Sequence, residues 1–275
     1  MTLGRDRARR VRVNGVELEY VEEGSGTPVV FSHGGASDIR YWEPQRATFA
    51  AHYRFVAYSR RFHGAGSWPP DADASADAHV SDLVAIVRQL DAGPVHLVGF
   101  STAIALHAAI AQPGLFRSLT IIEPNVPSLL EGDASGEDLL AQWRLENDRL
   151  AAQAGGDVTR RAELWFELVN NEGAGTFARQ PSAFREMWLE NFGAKRAPGG
   201  PPPLTCDALS AISAPTLALG GEHGMAYSRR ILEIVADCIP GSRLAVVPSV
   251  THFMSYQASD VFNGVVLGFL DELKH

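Results

Sequence analysis

Short apolar runs that alternate with helix-patterned stretches set the tightest limit on what this chain can fold into. The runs are Pro28 to Ser32, Phe55 to Tyr58, Val95 to Phe100, Leu119 to Ile122, Thr216 to Leu219 and Leu244 to Val247. Helical patterning falls near 44–52, 79–91, 102–112, 225–238 and 258–273. Uninterrupted apolar strands need cover on both faces, and intervening helices supply it, so the pattern predicts an α/β fold around a mostly parallel sheet. Residues 10–22 alternate around Asn14-Gly15, which predicts a hairpin of two outer strands. At 275 residues, one such unit accounts for the chain.

The alternation stops between about Asn125 and Cys206. This stretch has charged, amphipathic patterning, carries Trp143, Trp165, Phe166, Trp188 and Phe192, and ends in the Pro/Gly-rich run Ala197 to Pro203. It reads as a helical cap, residues 125–206, inserted between the sixth and seventh strands of a core built from 1–124 and 207–275. Ordinary helix packing accounts for most of its aromatics. Trp143, Trp165 and Trp188, together with Phe100, are expected to wall a pocket for a hydrophobic small molecule.

Composition excludes several classes. The formal charge of −8 argues against nucleic acid or an anionic membrane as partner. The N-terminus MTLGRDRARRVRV is basic but lacks the apolar core of a signal peptide. No stretch approaches the ~18–20 apolar residues of a membrane span. The two cysteines, Cys206 and Cys238, show neither a disulfide framework nor metal-ligand spacing, so a reduced, cytoplasmic setting is expected. A homodimer is among the assemblies allowed.

The chemistry centres on Gly99-Phe100-Ser101-Thr102-Ala103, directly after the run Val95 to Val98 and before the helix-like Ile104 to Ile110. A serine on a tight strand-to-helix turn presents its hydroxyl at the sheet edge, backed by the free N–H groups of a helix start. Small residues are needed around it because strand and helix backbones converge there. Gly99 meets that need, whereas Ala103 adds a methyl group that weakens the match.

A serine nucleophile needs a base, and His252 follows the last apolar run in Pro248-Ser249-Val250-Thr251-His252-Phe253. Glu123 ends the sixth strand in Thr120-Ile121-Ile122-Glu123-Pro124, where an unpaired buried carboxylate would be costly. It is the expected partner of His252, fixing its tautomer. Glu222, in Leu219-Gly220-Gly221-Glu222-His223-Gly224, is the reserve. The amide of Thr102 and that of Gly35, in Ser32-His33-Gly34-Gly35-Ala36, are the expected oxyanion donors. His33, His96 and His107 read as structural, and His63 as able to approach the pocket, while His52, His79, His223 and His275 carry no specific signal. No histidine pair has the spacing of a helical zinc site, so no metal or other cofactor is expected.

Taken together, the hairpin, the His33-Gly34-Gly35 loop, the Ser59-Arg60-Arg61-Phe62-His63-Gly64 loop, the serine turn, the cap and the His252 loop resemble the α/β-hydrolase superfamily over nearly the whole chain. The resemblance implies Ser101, Glu123 and His252 as a triad with Gly35 and Thr102 as oxyanion hole. Members with the acid after the sixth strand include haloalkane dehalogenases, a zearalenone lactonase and cofactor-independent ring-cleaving dioxygenases. The dehalogenases use an aspartate nucleophile, which Ser101 excludes. The lactonase places its glutamate in a setting similar to Glu123-Pro124. Two departures stand out: the pattern's aspartate after the seventh strand is replaced by glycine, and Phe100 and Ile104 stand at positions that are more often polar or small. The expected function is a cofactor-independent serine esterase or lactonase working through an acyl-enzyme. The alternatives are lyase, cyclase or oxygenase chemistry run by a His252-Glu123 base, or an inactive member that binds a ligand.

Overall fold

The computed structural model describes residues 7–198 and 200–274; His275 and the first six residues of the basic N-terminal stretch lie outside them. Among the described residues, eight strands, β1 (Arg9–Val13), β2 (Val16–Glu23), β3 (Pro28–Ser32), β4 (Arg54–Tyr58), β5 (Val95–Phe100), β6 (Phe116–Ile122), β7 (Thr216–Gly221) and β8 (Arg243–Val247), form one sheet. Their order is β1-β2-β4-β3-β5-β6-β7-β8. β2 runs antiparallel to both its neighbours, and every other pairing is parallel. The β1–β2 turn uses the left-handed region at both Asn14 (φ 46°) and Gly15 (φ 78°), which suits the twist of a two-residue hairpin.

The helices are α1 (Glu43–Ala50), α2 (Ala76–Gln89), α3 (Ile104–Ala111), α4 (Gly136–Ala154), α5 (Val158–Asn170), α6 (Ser182–Phe192), α7 (Cys206–Ser210), α8 (Ala226–Cys238), α9 (Met254–Gln257) and α10 (Ser259–Glu272). Sequence patterning placed the start of α2 near 79, but Ser75 caps it by accepting the N–H of Ala78, so it begins at Ala76. The helix expected at 258–273 is α10, and a short helix, α9, precedes it, separated by Ala258, which leaves helical geometry at φ −134°, ψ 57°.

Successive residues of the central strands feed opposite cores, which is why those strands read as continuous apolar runs. Val30, Leu97, Leu119 and Ile121 join one cluster with Leu83 of α2, Leu106 of α3 and Ile231 of α8. Val29, Phe31, Val98 and Ile122 join the other, with Phe49 of α1 and Phe262 and Val266 of α10. α5 and α6 also belong to this second core: Phe166 stacks on Phe253 with ring centroids 4.8 Å apart, and Phe184 and Trp188 pack edge-on to the same ring. α4 meets α8 instead, where Trp143 stacks on Tyr227 at 4.5 Å.

One expectation needs correcting. Cys206 and Cys238 form a disulfide with Cα atoms 5.1 Å apart. α7 lies against α8, so the first residue of one helix meets the last residue of the other. That neighbourhood is tertiary, and a separation of 32 residues carries no local mark of it. The reduced, cytoplasmic setting inferred from unpaired cysteines loses that basis. Among the described residues, no helix is long and apolar enough to cross a membrane.

Candidate active site

Ser101 sits between β5 and α3 with φ +50°, a strained backbone for a residue with a side chain. Its N–H donates to the Ile122 carbonyl at 2.9 Å, which ties the turn to β6. A Cβ on Gly99 would stand 2.6 Å from the Ala105 Cβ, so strand and helix approach too closely for any side chain there. Ala103 is no obstacle: it has φ −77°, precedes α3, and buries its methyl group in the core.

The sequence-predicted triad residues meet. His252 Nε2 lies 3.0 Å from Ser101 Oγ, and His252 Nδ1 lies 2.6 Å from Glu123 Oε2. Glu123 is buried and, like Ser101, has a positive φ, +37°, which turns its side chain off the end of β6. Its other oxygen, Oε1, accepts the Gly221 N–H at 2.9 Å. Glu222 is elsewhere: its carboxylate accepts the Ser249 N–H at 2.7 Å. The His252 loop is fixed from two sides. Thr251 Oγ1 donates to Asn170 of α5 at 2.8 Å, and the Thr251 N–H donates to Gln257 of α9 at 3.0 Å. Phe100 stacks on Tyr41 at 4.7 Å and lies 4.8 Å from the His252 ring, so apolar surface covers the imidazole.

Gly35 and Thr102 both face the cavity that holds Ser101. Among the described residues, no acceptor is paired with either amide. His33 holds the Gly34-Gly35 loop. Its Nε2 accepts the Arg60 N–H at 2.9 Å, so the ring proton is on Nδ1, which donates to the Gly34 carbonyl at 2.8 Å. Burial, with the Arg60 charge beside it, keeps His33 neutral, well below the usual histidine range. His63 is brought to the same loop, with Nε2 2.9 Å from the Gly35 carbonyl, and burial lowers its pKa to about 3. His96 pairs with Ser118 at 2.7 Å inside the sheet.

The cavity measures about 370 Å³, the size of a small-ligand site. Phe100, Trp143, Trp165 and Trp188 all line it. Sequence reasoning missed several other wall residues. Tyr41 and Tyr227 are aromatic surfaces on the wall, and burial pushes both hydroxyls above the ordinary tyrosine range. Arg60, His79 and Arg196 are also on the wall, and only the polar loop around Arg60 gave any signal for them. Among the described residues, no three His, Cys, Asp or Glu side chains are grouped as a metal site.

The serine, histidine and carboxylate thus lie within hydrogen-bond reach of one another at the strand tips of the sheet. Residues 29–265 match the model of the alpha/beta hydrolase family, and the chain belongs to that family. It is an enzyme of the α/β-hydrolase fold. It is 25% identical over 199 residues to the (E)-2-((N-methylformamido)methylene)succinate hydrolase of Acinetobacter baylyi, covering 64% of this chain and 73% of that one. It is 24% identical over 274 residues to the non-heme haloperoxidase of Rhodococcus erythropolis, covering 94% of this chain and 97% of that one. Among solved structures, a thermophilic esterase from Thermogutta terrifontis superposes with a TM-score of 0.75 at 23% identity, over 97% of this chain and 99% of that one.

Proposed function

We propose that this enzyme is a serine hydrolase that cleaves a carboxylic ester or lactone of a hydrophobic small molecule through an acyl-enzyme. The observation that carries the reading is the continuous relay from Ser101 Oγ through His252 to Glu123, at 3.0 and 2.6 Å. Ser101 Oγ attacks the carbonyl carbon while its proton passes to His252 Nε2. Negative charge develops on the carbonyl oxygen, which the amides of Gly35 and Thr102 bind. Glu123 holds Nδ1–H and balances the imidazolium. Collapse of the intermediate breaks the ester C–O bond, and the alkoxide leaves with the proton from Nε2. Water then attacks the acyl-enzyme, gives its proton to His252, and the serine is restored as the acid departs. Residues 125–206 act as the cap, since Trp143, Trp165 and Trp188 share the cavity wall with Ser101.

Labelling with a fluorophosphonate probe, followed by mass mapping, tests this. Wild type takes the label on the Ser101 peptide and turns over an aryl ester, and Ser101→Ala does neither while remaining folded. Undiminished turnover by Ser101→Ala overturns the reading. The apolar cover of Phe100 over His252 favours one other reading, in which the His252-Glu123 pair removes a proton from a substrate hydroxyl. In that case the probe fails to label, Ser101→Ala keeps part of its rate, and His252→Ala loses nearly all of it.

A further inference from the structure

The cavity around Ser101 holds more positive charge than acyl transfer requires. Arg60, Lys195 and Arg196 line it, and Glu123 is the only carboxylate among its described lining residues. Both Glu123 oxygens are taken, one by His252 and one by Gly221. Arg60 is 7% exposed, yet its hydrogen bonds go to no carboxylate. One Nη donates to the Gly34 carbonyl at 2.6 Å, and Nε has no hydrogen-bond partner among the described residues. The other buried arginines are paired differently: Arg61 with Asp82 at 2.6 Å and Arg40 with Asp38 at 2.7 Å. Burial lowers the Arg60 pKa to about 10, and the charge of Arg196 adds to the effect.

Arg196 is exposed and lines the same cavity. A Cβ built on Gly35 would lie 3.5 Å from a terminal nitrogen of its guanidinium. Both guanidiniums therefore lie at His33-Gly34-Gly35, the loop that carries the proposed oxyanion donor Gly35. The His79 Nδ1, on the same wall, is also buried without a partner. A buried cation without an anion is costly, and a second positive charge beside Arg60 adds repulsion, unless a ligand supplies the opposite charge. The chain as a whole carries −8, which repels anions, so a locally positive cavity selects for them.

We propose that Arg60 and Arg196 form a carboxylate-binding subsite, so that the substrate is a half-ester or lactone bearing an ionised carboxylate on its acyl side, a few bonds from the scissile carbonyl. The guanidinium fork suits a carboxylate, and binding it there orients the acyl group toward Ser101. Lys195 is already engaged with the Ala72 carbonyl at 2.8 Å and contributes field rather than a contact. The subsite rests on the reading of Ser101 as the acyl-transfer centre, but its occupancy is measurable without turnover.

The test is calorimetric binding to the Ser101→Ala protein of two para-nitrophenyl esters, the hemisuccinate and the uncharged pentanoate of similar length. The hemisuccinate binds at least about tenfold more tightly, as a charge-assisted contact in a cavity predicts. Adding Arg196→Met brings the two affinities to near equality, and adding Arg60→Met does the same. Equal binding of both esters, absence of hemisuccinate binding, or a preference that survives Arg196→Met overturns the proposal. Arg196 is exposed, so that variant decides even where Arg60→Met fails to fold. Loss of fluorophosphonate labelling at Ser101 would fell the acyl-transfer reading and leave this binding result standing.

Discussion

Glu123, just past the end of β6, accepts the backbone N–H of Gly221, the last residue of β7, at 2.9 Å. In the proposed triad, this contact lets a carboxylate from the sixth strand take the part that the pattern assigns to an aspartate after the seventh. The glycines in that position form the cradle for Glu123. A Cβ on Gly224 would fall 2.7 Å from Glu123 Oε1, and one on Gly221 would fall 2.4 Å from the Thr251 carbonyl oxygen. Gly224→Ala should therefore push the carboxylate off His252 without unfolding the chain. We expect kcat/KM to fall roughly tenfold to a hundredfold, as sub-ångström misplacement does elsewhere, with little change in Tm. Steady-state kinetics on an aryl ester beside thermal melting would check it.

Replacing Glu123 itself separates orientation from charge. In Glu123→Gln an amide N–H2 can face Nδ1, which favours the tautomer with the proton on Nε2 and removes the lone pair that Ser101 needs. The expected loss in kcat is about a thousandfold to ten-thousandfold, with KM nearly unchanged. If Glu123→Gln keeps more than a tenth of wild-type kcat, the carboxylate is not the partner on which His252 depends. Glu222→Gln is the control, because its carboxylate serves the Ser249 N–H and not the imidazole.

Residues placed by a local strand or turn pattern were legible in the chain, and those placed only by the packing of distant segments were not. The serine turn is local: an apolar strand, Gly99 for close approach and a helix start all lie within a dozen residues. Glu123 directly follows an apolar run and His252 stands on the loop after the last one, so both were legible, because strand ends converge on one edge of a parallel sheet. The function of the Gly220-Gly221-Gly224 cluster was not, because its reason is a carboxylate from another strand. Ala103 was read as a weakness because the pattern has glycine there, yet its backbone stays right-handed. The Cys206–Cys238 bond and the positions of Arg60 and Arg196 depend on how distant segments pack, which no local pattern records.

The disulfide makes a separate prediction. It closes a loop spanning 32 residues that includes α7, β7 and all of α8. Constraining a loop of that size in the unfolded chain is worth about 3–4 kcal/mol in the chain-entropy model. The Cys206→Ser and Cys238→Ser variants should each melt roughly 5–10 °C below the oxidised wild type. Neither cysteine lines the Ser101 cavity, so kcat and KM at moderate temperature should be preserved. A wild-type Tm insensitive to a reductant that demonstrably frees both thiols would show that the bond contributes nothing.

Acid sensitivity follows from the histidines packed beside the Gly34-Gly35 loop. The rings of His33 and His63 are 5.0 Å apart, and His79 lies 6.4 Å beyond His63. Burial, joined by the charge of Arg60, lowers all three, His63 to about 3. The unfolded chain returns each to about 6.5, so between those values it binds protons that the folded protein refuses. Stability is therefore fully present above about pH 6.5 and falls as pH drops through the window toward the lower folded values. Each histidine adds up to about 1.4 kcal/mol per pH unit to that slope where it is neutral folded and charged unfolded. Urea unfolding from pH 7.5 to 5 should show the decline, and His79→Asn should remove one proton's share of it. His79 is the informative position because its Nδ1 has no partner to lose, whereas His33 pins two loops. An unfolding free energy that is level across this range, or a slope unaltered in His79→Asn, would mean that these rings are not held neutral.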